Sequence, residues 1–94
     1  ISTEITDRYD LMQNYPNPFN PATKIRFDLP EKAVVTIRIY NVLGQVVATL
    51  VNRQLLDAGK HQTEFIGDGY ASGVYFYRIE SDKFNQTKRM VLLK

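Results

Sequence analysis

The 94 residues are enough for one domain and too few for two. Hydrophobic residues make up 44% and charged residues 23%, with no cysteine and a formal net charge of +2. This balance fits a folded domain. It excludes disulfide frameworks and thiolate metal sites, and the charge is too slight to argue for nucleic acid as a partner.

Taken in chain order, residues 1–10 open with the polar, unpatterned stretch "ISTEITDR" and are expected to be a linker from an upstream domain. The folded domain is expected over residues 11–94. "YDLMQNYP" allows a short first strand, ended by Pro16, which has no N–H to give to a ladder. The stretch "NYPNPFNPATKIRFDLP" holds all four prolines of the chain. Pro16, Pro18 and Pro21 bias the residues before them away from helix, and Asn14, Asn17 and Asn20 suit turns made with their own backbone.

"TKIRFDLP" then alternates, with Ile25, Phe27 and Leu29 on one face and Lys24, Arg26 and Asp28 on the other, as a half-buried strand does. "VVTIRIYN" repeats this with Val35, Ile37 and Ile39 inward. "NVLGQ" turns the chain at Gly44, and "VVATLVN" returns, so residues 34–52 form a hairpin. "RQLLDAGK" lacks β-branched residues and reads as an irregular segment or loop. "KHQTEFI" is a weak strand, "GDGYASG" a loop, "VYFYRIES" a strong strand, and "TKRMVLLK" the last one. About seven short strands with turns between them predict an all-β antiparallel sandwich. The expected core is Ile25, Phe27, Leu29, Val35, Ile37, Ile39, Val47, Phe65, Val74, Phe76, Met90 and Leu92. Both faces of the last two strands carry apolar residues, which points to a central strand or to a partner on the outside.

Catalytic chemistry has few candidates. His61 is the single histidine, and it sits in a polar alternating strand. Ser2, Ser72 and Ser81 lie outside any nucleophile elbow. Asp57, Asp68 and Asp82 fall at turns, where aspartate caps its own backbone, and no loop has the alternating acids of a calcium site. "NQT" at residues 85–87 matches a glycosylation acceptor but reads as a polar turn. No run approaches the roughly 20 apolar residues that span a bilayer. The expectation is a non-enzymatic β-sandwich without cofactor, metal site or transmembrane segment.

Five motifs in series resemble one family. "YPNPFNPATKIRFDLP", "VTIRIYNVLGQVVATLV", "LLDAGKHQTEF", "ASGVYFYRI" and "TKRMVLLK" are similar, in order and spacing, to the C-terminal sorting domain of the type IX secretion system, type A. The resemblance implies an immunoglobulin-like sandwich that directs a larger cargo protein across the outer membrane. It implies the outer-membrane translocation machinery and a sortase-like protease as partners, an upstream cargo domain in the same chain, and a destination outside the cell or on its surface, reached through the periplasm. The residues it marks are Pro16, Asn17 and Pro18 in the opening motif, Gly73, Val74 and Tyr75 in the penultimate one, and Lys88, Val91, Leu92 and Lys94 in the last. Tyr70 departs from the family pattern, where leucine or valine is common. Two other readings remain open on the residues alone. One is a passive immunoglobulin-like spacer such as that of hook-capping proteins. The other is a carbohydrate-binding module using Tyr75 and Tyr77. On main-chain grounds, either residues 87–94 are expected to form an edge that adds to a partner's sheet, or the surface they form with residues 73–77 is expected to dock.

Overall fold

The computed structural model describes residues 6–94. Seven strands follow one another: β1 Asp10–Leu11, β2 Ala22–Leu29, β3 Ala33–Tyr40, β4 Val46–Leu56, β5 Gly59–Ile66, β6 Gly73–Glu80 and β7 Asn85–Leu92. They form a three-stranded sheet, β1-β2-β5, and a four-stranded sheet, β4-β3-β6-β7, with every pairing antiparallel. This is the all-β sandwich expected from the sequence, and its 3 + 4 order agrees with an immunoglobulin-like arrangement.

The core lies between the sheets. Ile25, Phe27 and Leu29 enter it from β2, Val35, Ile37 and Ile39 from β3, and Met90 and Leu92 from β7. Fully burying such a side chain is worth about 1.5–3 kcal/mol, and in a chain without cysteine this packing carries the fold. On β6 the buried face is Tyr75, Tyr77 and Ile79, so the expectation that Val74 and Phe76 point inward is corrected. These two are half-buried on the outer face. Tyrosine can face the core here because each hydroxyl finds a main-chain partner. Tyr75 donates to the Ala71 carbonyl at 2.7 Å and Tyr77 to the Met12 carbonyl at 2.6 Å. A tyrosine at the start of this strand bonding back to upstream backbone is the tyrosine corner of immunoglobulin-like sandwiches. With both rings inside, Tyr75 and Tyr77 offer no platform for a sugar. On β4 the buried side chain is Val51, and Val47 only packs against the core's rim.

A second correction concerns "RQLLDAGK". β4 does not end at Asn52 but runs on to Leu56, where Leu56, Leu55 and Gln54 pair with Ala33, Val34 and Val35. The register slips between Val35 and Ile37, and Arg53 takes a positive φ of 50°. The Thr36 hydroxyl accepts the Arg53 N–H at 3.2 Å. With this bulge, pairing with β3 carries the strand through a stretch that has no β-branched residue of its own.

Of the expected linker, residues 1–5 lie outside the described residues. The remainder touches the fold. The Thr6 hydroxyl donates to the Leu29 carbonyl at 2.7 Å, and Asp10 pairs with Asp28. Tyr9 stacks on Phe84 with centroids 5.2 Å apart and donates to Glu31. The Tyr9 hydrogen bond and the Lys83 ammonium hold the Glu31 carboxyl below its usual range.

Candidate functional site

β7 is the outer strand of the four-stranded sheet. Val91 stands opposite Val74, and its own N–H and C=O both point away from β6, toward the open edge. The proline-rich segment comes back to meet them. The Asn17 side-chain oxygen accepts the Val91 N–H at 3.0 Å, and the Phe19 N–H donates to the Val91 carbonyl at 2.9 Å. The Phe19 carbonyl accepts the Leu93 N–H at 2.9 Å, and Gln13 donates its amide to the Arg89 carbonyl at 2.6 Å. Phe19 and Leu92 thus form a parallel bridge. Prolines suit this place because the strap needs only some of its own N–H groups.

The strap is anchored from both sides. Phe19 is buried and meets Phe65 edge-on at 5.9 Å. Behind it, Asn14 and Thr23 are buried polar residues whose side-chain groups are all hydrogen-bonded. The Asn14 amide donates to the Thr23 hydroxyl at 3.0 Å and to the Pro16 carbonyl at 3.2 Å, and the Thr23 hydroxyl donates to the same carbonyl at 2.8 Å. The Asn14 N–H donates to the Tyr77 hydroxyl at 2.8 Å. Burial pushes the Tyr77 phenol up to about 12, with the Asn14 bond a smaller opposing influence. Gly67 closes the far side. Its N–H donates to the Pro21 carbonyl at 2.7 Å, and a Cβ here would sit 2.9 Å from the Leu92 methyls.

Most of the residues marked by the sequence converge here. Asn17 bonds Val91, with Pro16 and Pro18 exposed beside it. Gly73 and Val74 pair with Leu92 and Val91, and Leu92 is buried. The Lys94 N–H donates to the Ser72 hydroxyl at 2.9 Å. Two stand apart. Tyr75 is buried behind the strand, and Lys88 pairs with Tyr77 further along β7. Tyr70, the departure from pattern, reaches across to donate to the Val47 carbonyl at 3.1 Å.

The asparagines depart from the local-turn reading in one case. Asn14 does bond two residues on, but Asn17 reaches across 74 positions. Gln13, Phe19 and Gly67 escaped the sequence reading, and nothing nearby in the chain signals their contacts with β7.

The edge expected to dock is also corrected. At Val91 and Leu93 its outward main-chain groups are already engaged by the strap. By the two-residue period of the ladder, the outward groups that the strap leaves uncovered among the described residues are the Arg89 N–H and those at the start of β7, around Thr87.

A family described as the secretion system C-terminal sorting domain matches residues 13–93. No curated protein matches the chain. The matched span begins at Gln13, the first residue of the strap to bond β7, and ends at Leu93, the last β7-side residue bonded by it.

Proposed function

We propose, from the premise that this chain belongs to the secretion system C-terminal sorting domain family, that the clasp between the proline strap and β7 is the surface the export machinery reads. Membership makes the domain a sorting signal for type IX secretion, which carries protein across the outer membrane toward the surface or the medium. The observation that carries the finer reading is the convergence of the opening motif, the penultimate motif and the last motif on one hydrogen-bonded edge. The recognised residues are Pro16, Asn17, Pro18, Gly73, Val74, Val91 and Lys94, with Tyr75 and Leu92 holding them in place from below and Lys88 extending the surface along β7.

On this reading the domain is cargo for chemistry done elsewhere. A sortase-like protease removes it from an upstream cargo domain, which then stays at the cell surface. The domain contributes no catalytic group. Its histidine is in structural use, stacked on Phe27 at 5.3 Å with its ring nitrogen 2.7 Å from the Asp57 carbonyl.

A periplasmic reporter fused ahead of the chain tests this in a bacterium that has the machinery. The expected result is reporter outside the cell and shorter than the fusion by the mass of this domain. Deleting residues 91–94 is expected to trap it in the periplasm. Export that persists after the deletion, or in a strain without the machinery, would overturn the reading.

A further inference from the structure

The β3–β4 turn carries a feature that the clasp does not use. Val42 is 68% exposed, Leu43 79% and Val46 52%. The turn that presents them is locked by Asn41. Its side-chain oxygen accepts the N–H groups of Leu43 at 2.9 Å and Gln45 at 3.0 Å, and its amide donates to the Gln45 side chain at 2.8 Å. The backbone adds Asn41 to Gln45 and Gly44 to Asn41 bonds, both 3.0 Å, with Gly44 supplying the positive φ of 81°. Asn41 and Gly44 are the residues that make the turn. Polar side chains would serve the other two positions as well, and Val42 and Leu43 gain little burial within the fold. A rigid tip with two solvent-facing aliphatic side chains has already met part of the ordering cost of binding.

The tip continues onto the outer face of the four-stranded sheet. Val42, Tyr40, Phe76, Arg78 and Thr87 line one shallow cleft. Tyr40 stands opposite Phe76, and Phe76 opposite Arg89. This face is cationic. Among the described residues, Arg38, Arg78 and Arg89 share it with one carboxylate, Glu80, which both Arg38 and Arg78 reach at 3.3 Å. Residues 33–56 contain no acid at all.

We propose that this face is a second docking surface, with Val42 and Leu43 entering an apolar pocket of a protein partner whose acidic rim meets Arg78 and Arg89. The charge selects the occupant. Twofold pairing with another copy would set three arginines and one carboxylate against the same set, so the two faces repel on balance, and like charges across an interface are disfavoured. An anionic bilayer is a poorer match because the cations beside the tip stand on one side of it only, Arg78 on β6 and Arg89 on β7, and residues 39–52 hold none, whereas surface-seated segments surround their apolar residues with cations. The proposal rests on the sorting reading for the partner's place, in the outer-membrane translocation machinery.

The test uses the reporter fusion of the full chain in the secreting bacterium. Changing Val42→Ser together with Leu43→Ser is expected to leave the urea midpoint of the purified chain unchanged and to lower the secreted fraction about tenfold, as for buried anchors of an interface. Arg89→Glu is expected to lower it as well, with the same unchanged midpoint. A photo-crosslinking residue at Leu43 is expected to label a protein of the translocation machinery, and one at Gln62 on the other sheet is not. Undiminished secretion of the double variant overturns the proposal, as does a fall in its midpoint. Labelling of phospholipid, or of a second copy of the chain, overturns it in favour of those occupants. Retention of the unaltered fusion overturns the sorting reading and this proposal with it.

Discussion

The Tyr77 hydroxyl is held from two sides, since it gives a hydrogen bond to Met12 and takes one from Asn14. Tyr77→Phe leaves both main-chain groups unpaired in a buried place, which costs about 1–3 kcal/mol. The cost is also pH-dependent, and the sign is fixed by the direction of the shift. A phenol whose folded value is raised from 10.0 to about 12 favours the folded state fully below pH 10, and that contribution is lost as pH rises through 12. Urea unfolding of both chains should show a gap near pH 8 that narrows between pH 10 and 12. Gly67 is constrained by space. Gly67→Ala would place a methyl group 2.9 Å from the buried Leu92 methyls and 3.1 Å from the Pro21 carbonyl. Part of that overlap falls on backbone, so the variant should lose about 1–3 kcal/mol, read as a lower urea midpoint.

Among the elements, the strap and β7 depend on each other through single hydrogen bonds. Asn17→Ala removes the acceptor for the Val91 N–H, a net loss of about 1 kcal/mol. Hydrogen exchange should show the Val91 amide opening about five- to tenfold faster, with Ile37 in the centre of the sheet unaffected. A Val91 amide that keeps its protection would show that the strap is not what holds it. Elements of this kind differ in how far the chain announces them. β2 and β3 were legible because their alternation is local, with Ile25, Phe27 and Leu29 and then Val35, Ile37 and Ile39 buried as the pattern requires. β6 was not, because Val74 and Phe76 are as apolar as Tyr75 and Tyr77. What decides its facing is the bond from Tyr77 to Met12, 65 positions away. The tail of β4 was hidden because a bulge and a partner strand, rather than its own residues, make it a strand. The candidate site divides in the same way. Its motifs were visible by resemblance, but their meeting at the β7 edge depends on contacts spanning more than 70 residues.

At the scale of the whole molecule, the first and last motifs close the sandwich onto itself, so damage to the signal and damage to the fold are easily confused. Deleting residues 91–94 removes the buried Leu92 along with the clasp, and loss of export could follow from unfolding alone. A pair of variants matched in stability separates the two. Ile37→Val trims one methyl from a fully buried position on β3 and costs about 0.5–1.5 kcal/mol. Asn17→Ala costs a similar amount but acts at the clasp. If the machinery reads only a folded sandwich, both variants should lower secretion equally. If it reads the clasp, Asn17→Ala should reduce the secreted fraction severalfold while Ile37→Val secretes as the unaltered chain does. Secretion and urea midpoint measured on the same two fusions decide the matter, and an equal loss in both would assign the signal to the fold as a whole.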